Sequence, residues 1–216
     1  MEINILFEDK YLVVANKPSG IASQPDPSGR PDMISLLKKR TGGDIFCVHR
    51  LDTATSGVMV YAKSSECAGR LTASLSAENK IKQYLCVVHS PDAGAGRMED
   101  LLFHDKRKNK AYVVDRMRGG VKAARLDYET LSKKDELSLV KVTLDTGRTH
   151  QIRVQFASRK MPLLGDGKYG SRDNLPLALH CYRMGFTHPY TKKYVDTVFL
   201  PESPFGGFSL DGLFNS

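Results

Sequence analysis

No stretch of this 216-residue sequence approaches the roughly 18 consecutive apolar residues that a membrane-spanning helix needs. The N-terminus, Met-Glu-Ile-Asn-Ile-Leu-Phe-Glu-Asp, puts acids where an export signal requires a basic region and an unbroken apolar run. The expectation is therefore a cytoplasmic protein with no membrane partner. Four cysteines, at 47, 67, 86 and 181, form no CxxC, and the one close Cys/His pair, His180-Cys181, is a poor chelate because neighbours on a strand face opposite sides. No metal is expected, and the thiols read as reduced and mostly buried. Also missing are GxxxxGK[ST], GxGxxG after a strand, HExxH and GxSxG. A glycosidase-type carboxylate pair cannot be isolated either, since the acids sit mainly among lysines on turns.

Positive charge is what the chain has in excess. Lys and Arg number 32 against 24 Asp and Glu, giving a formal +8 and a pI near 9.3, a balance that suits a polyanionic partner such as nucleic acid. Hydrophobic residues at 41% and charged residues at 26% are ordinary globular usage, which excludes a disordered or collagen-like chain. The length fits a single domain over residues 1–216, expected as a monomer. Much of the charge excess lies between His104 and Arg125, where Lys106, Arg107, Lys108, Lys110, Arg116, Arg118, Lys122 and Arg125 face only Asp105 and Asp115. With Gly119-Gly120 inside it, this stretch reads as an exposed, flexible excursion that grips phosphates.

The apolar patterning predicts many short strands and few helices. Strands are expected at Ile3–Phe7, Tyr11–Ala15, Asp44–Val48, Val58–Ala62, Gln83–Val88, Leu126–Leu131 and Ser138–Leu144, with a hairpin formed by Ala178–Thr187 and Val195–Leu200. Asn16-Lys17-Pro18-Ser19-Gly20 reads as a turn. Helices are expected over Met33–Lys39, capped by Asp32 and closed by Gly42-Gly43, over Ser65–Asn79, and over Thr149–Arg159 with Thr149 as a cap. This pattern argues for an α+β fold around a mixed, mainly antiparallel sheet.

Two polar stretches could carry chemistry. Val48-His49-Arg50-Leu51-Asp52-Thr53-Ala54-Thr55-Ser56-Gly57 lies between apolar strands, with Asp52 as a candidate nucleophile and Arg50 on its side if the segment is extended. Asp145-Thr146-Gly147-Arg148-Thr149-His150-Gln151-Ile152-Arg153 joins a strand to a helix start rich in bases, where His150 reads as a packed histidine.

These residues resemble the RluA family of RNA pseudouridine synthases. His49-Arg50-Leu51-Asp52-Thr53-Ala54-Thr55-Ser56-Gly57 is similar to the family's signature, with Asp52 at its catalytic aspartate. Asn16-Lys17-Pro18-Ser19-Gly20, Lys82-Gln83-Tyr84, Gly147 to Val154, Leu164-Gly165-Asp166, Lys168-Tyr169-Gly170 and Leu179-His180 resemble its other motifs, in the family's order from about Glu8 to Pro201. The resemblance implies an isomerase of ribosomal and/or transfer RNA that works without cofactor or metal, on the pseudouridine synthase fold with flanking helices and a basic cleft. It implies Asp52 as nucleophile, Tyr84 stacked on a flipped uracil, Arg153 paired with Asp52, and Arg50 filling the space that the base vacates. The compact length implies the form that lacks an N-terminal RNA-binding domain. The competing reading is a catalytically inactive RNA-binding module on the same scaffold.

Overall fold

The computed structural model describes residues 3–27, 29–203 and 205–211. The chain packs as two compact units: residues up to Lys82 together with Cys181–Pro201, and Gln83–His180 together with the residues from Glu202.

In the first unit, β1 (Ile5–Glu8) pairs antiparallel with β2 (Leu12–Lys17), and β2 pairs antiparallel with β4 (Ser56–Ala62). The short β3 (Phe46–Cys47) also lies against β4, which neighbours β10 (Leu179–Thr187), itself paired antiparallel with β11 (Tyr194–Val198). Leu12, Val13, Val14 and Ala15 are all buried, as are Val58 to Ala62, so the central strands are covered on both faces and read as unbroken apolar runs. The strand β2 runs on through Asn16 and Lys17 instead of ending at Ala15, because the ladder to Val58 and Gly57 holds both residues; the turn starts at Pro18.

Helix α1 (Met33–Thr41) starts where expected: Asp32 accepts from Ser35 N at 3.0 Å, and left-handed Gly42 closes the last turn by donating to Lys38 O. Helix α2 (Ser65–Ser74) buries Cys67 and Leu71 but stops short of Asn79. There Ser76 N bonds Ala73 O and Ala77 N bonds Ser74 O, tighter three-residue turns that end the helix, while Asn79 donates to Thr187 Oγ1 instead of capping.

The second unit orders its strands β5 (Ile81–His89, from Gln83 onward), β9 (Leu137–Leu144), β8 (Val121–Lys134), β6 (Ala95–Asp105) and β7 (Lys110–Val114), every pair antiparallel. The segment His104–Arg125 is thus no flexible excursion. It forms the tip of the β6–β7 hairpin, all of β7 and the start of β8, pinned because Ala111 and Ala124 are buried in a core with Leu102, Val154 and Tyr169. Helix α3 (Gln151–Ser158) packs on β6 and β7 and buries every residue from Gln151 to Phe156. Thr149 does not cap it. His150 takes the N-cap position in the left-handed region at φ 54°, and the Gln151 side chain instead reaches back to accept from Arg148 N and Thr146 Oγ1. The α+β class and mainly antiparallel pairing expected from the sequence are what the chain forms.

At the start of β4 only glycine fits. Gly57 opens β4 at φ +121°, and a Cβ there would sit 2.2 Å from the Cys181 carbonyl oxygen of β10, with backbone on the other side of the clash. We expect Gly57→Ala to cost about 3 kcal/mol or more, since strained φ and a backbone overlap add. Urea denaturation measures this, and a loss below about 1 kcal/mol would contradict the close approach.

Candidate active site

Asp52 and Arg50 lie in the first unit, on the loop between β3 and β4; Asp52 is half-buried and Arg50 exposed. Tyr84 lies on β5 and Arg153 on α3, both buried and both in the second unit.

Around Asp52 the backbone is held at every carbonyl. Leu51 O accepts from Ser23 Oγ at 2.8 Å, and Asp52 O from Thr55 N at 3.0 Å. Thr53 O takes both Gly20 N (2.8 Å) and Lys17 Nζ (3.1 Å), and Ala54 O takes Ser19 Oγ at 2.8 Å. Leu51 N closes the set by donating back to Ser23 Oγ. The segment from Lys17 to Ser23 is therefore a mould for the Asp52 loop, and loops fixed in this way carry side chains with the precision that chemistry needs. Gly20 is at φ +85°, the conformation that lets its N–H point at Thr53.

Lys17 ties the mould together. Its side chain is fully buried, and Nζ donates to Pro18 O, Ile21 O and Thr53 O at 3.0, 2.7 and 3.1 Å. Burial pushes its pKa down to about 8, and the negative charge of Asp52 acts in the opposite sense. Reading the sequence sets Lys17 in a turn motif and gives it no role; the signal available is a lysine between a strand and a proline in a segment otherwise free of charge.

His49 is a second residue whose role the sequence leaves unassigned. Its Nε2 accepts from Val60 N at 3.0 Å, supplying a partner to β4 beyond the end of β3. An imidazole that accepts there must be neutral; burial, aided by the positive Lys82, pushes its pKa down to about 3.

In the second unit, Arg153 forks onto Asp166: Nε donates to Oδ2 at 2.7 Å and Nη2 to Oδ1 at 2.8 Å, with both side chains buried. The guanidinium lies over the Tyr169 ring, 5.1 Å from its centroid. Tyr169 Oη in turn accepts from Ala111 N at 2.8 Å and pairs with His150 Nδ1 at 2.9 Å, which explains the strained backbone of His150. The packed histidine read from the sequence is thus part of a chain that fixes where Arg153 points. Asp166, which anchors Arg153 within this unit, is a residue the sequence marks only as part of a motif.

A family model described as RNA pseudouridylate synthase matches residues 11–158. The tRNA pseudouridine synthase C of Pasteurella multocida is 32% identical, with 90% of each chain covered. The ribosomal large subunit pseudouridine synthase D of Zymomonas mobilis is 30% identical over 90% of this chain and 68% of its own. The solved structure of human RNA Pseudouridylate Synthase Domain Containing 4 superposes with a TM-score of 0.75 at 25% identity, covering 94% of this chain and 90% of that one.

Replacing Lys17 with Met should slow any reaction at Asp52 by at least about tenfold, since misplacing a reacting group by 1 Å costs on the order of 100-fold. The pH profile carries the sign. Below about pH 8 the folded protein keeps the ammonium and its three bonds; above it the folded protein releases a proton that the unfolded chain holds to 10.5, and the clamp weakens. Wild-type rate should therefore fall as pH rises through about 8. A Lys17→Met protein that keeps the same alkaline limb would assign that titration elsewhere.

Proposed function

The chain belongs to the RNA pseudouridylate synthase family, and on that footing we propose that it isomerises uridine to pseudouridine in ribosomal and/or transfer RNA, with residues 1–216 as one catalytic domain and Asp52 as the nucleophile. The bond from ribose C1′ to uracil N1 breaks, the base turns over, and C1′ bonds to C5. The C5 hydrogen leaves as a proton and N1 gains one, so the sum is an isomerisation with no change of oxidation state. A carboxylate that assists the first cleavage splits one difficult step into two easier ones. The target uracil must leave its stack to meet a carboxylate on a loop, at a cost of roughly a few kcal/mol.

The observation that supports this reading best is the mould around Asp52, in which four successive carbonyls are bonded and one half-buried carboxylate is offered from a rigid frame. Tyr84 supplies a ring for the flipped uracil and Arg50 fills the place that the base leaves. Arg153, directed by Asp166 and Tyr169, supplies positive charge to the reaction. The basic segment grips phosphate from a fixed hairpin tip: Asp105 Oδ1 accepts from Arg107 N and Lys108 N, so the turn presents Lys106, Arg107 and Lys108 together. Lys110 is committed to the rings of Tyr112 and Tyr169.

Asp52→Asn should abolish pseudouridine formation while RNA affinity stays within about tenfold, because phosphate contacts dominate binding. Mass spectrometry of cellular RNA incubated with each protein reads the product, and measurable turnover by an Asp52→Asn protein free of deamidation would remove Asp52 from its role. Changing Lys106, Arg107 and Lys108 together to Gln should flatten the slope of log affinity against log salt by about 2 units if all three meet single-stranded phosphates, at about 0.7 each. Turnover at saturating RNA should move far less. An unchanged slope would remove the hairpin tip from the RNA interface.

A further inference from the structure

The second unit contains a cavity of about 640 Å³ that the proposed chemistry does not use. Its walls are apolar: Leu137, Leu164, Leu177 and Phe205 line it, and Leu175 stands at its mouth 55% exposed, one of the most exposed large apolar side chains among the described residues. The volume falls in the range of sites that hold drug-sized groups.

The charge around it runs against the rest of the chain. The formal balance of the protein is +8, yet among the described residues the cavity lining includes Asp135, Glu136 and Asp173 and no lysine or arginine. The two adjoining cations in sequence, Lys134 and Arg172, are not among the lining residues. Asp135 and Glu136 are exposed at the β8–β9 turn. Asp173 is built in: its Oδ2 is held by His89 Nε2 at 2.6 Å, by Ser171 Oγ, and by Gly165 N at 3.4 Å. Those bonds, led by the one from Ser171, lower its pKa and keep it ionised. The rim is thus preformed, acidic and set around an apolar floor.

From this complementarity we propose that the cavity is a docking site for a peptide segment of another protein, with a leucine- or phenylalanine-like anchor flanked by lysine or arginine. Nucleic acid is the wrong occupant, since carboxylates repel phosphates at this range. A basic segment is the right one on general grounds. Two proteins that share one RNA both carry positive charge and repel each other, and an acidic rim on an otherwise basic molecule lets them meet. The apolar anchor then supplies the affinity and the rim its selectivity.

The test uses the full chain and a phage-displayed library of random nonapeptides. Enriched sequences should pair an apolar anchor with flanking cations. Their synthetic forms should bind at least tenfold more weakly to Asp135→Asn/Glu136→Gln and to Leu175→Asp, with RNA turnover unchanged in both as the control for folding. Asparagine is chosen to replace Asp135 because the residue sits at φ 52°. Enrichment of acidic or uncharged peptides, equal binding to the variants, or no enrichment overturns the proposal. Binding that emerges only when residues 212–216 are deleted overturns it in favour of the chain's own C-terminal segment. A dimer in sedimentation that Leu175→Asp dissolves overturns it in favour of a second copy.

Discussion

The Asp52 loop depends on one buried ammonium. Taking Lys17 out of water is unfavourable, and its lowered pKa of about 8 is the direct sign of that cost. Three carbonyls, of Pro18, Ile21 and Thr53, offset it in part, and the charge on Asp52 adds to the balance. A neutral side chain would avoid the desolvation but leave those oxygens without their donor at the point where two chain segments meet. The charge is thus retained for geometry: it joins residues 17–21 to residue 53, so that the strand β2 and the loop before β4 share one frame.

The second unit solves a similar problem with a different device. Helix α3 is buried through six consecutive residues, so a polar side chain on it has no water to turn to. Arg153 is accommodated by a bidentate carboxylate and an aromatic face, and Tyr169, which provides that face, is itself fixed by Ala111 N and His150. Each group has its direction set by the next, which is why His150 is held in a left-handed conformation that a bulky residue rarely adopts. In both units a cation that would be mobile at the surface has become a fixed point.

What can be read from the sequence follows from how local each cause is. The cap at Asp32, the stop at Gly42 and the strands around Val13 and Val60 depend on near neighbours and on alternation or runs, and they are where the pattern puts them. Helix α2 reads too long from sequence because Leu75 continues its apolar face, while the turns that end it owe nothing to that face. The segment 104–125 reads as mobile because cations and glycines crowd its few apolar residues, while the burial of Ala111 and Ala124 depends on Val154 and Tyr169, about 30 to 58 residues further on.

The candidate residues divide along the same line. Asp52 and Arg50 belong to one contiguous motif, and Tyr84 and Arg153 to others, so the sequence alone puts them forward as candidates. The bonds that set their directions are not, since Ser23 with Leu51, Lys17 with Thr53, and Arg153 with Asp166 join segments 13 to 36 residues apart. Each of these partners is a common residue doing an ordinary thing in an unusual place: a serine, a lysine and an aspartate, each bonded inside the protein instead of to water. Their meaning comes from burial, and burial is a property of the fold. A motif can thus put forward a candidate group, while the force that aims it lies in residues that look unremarkable until the chain has closed around them.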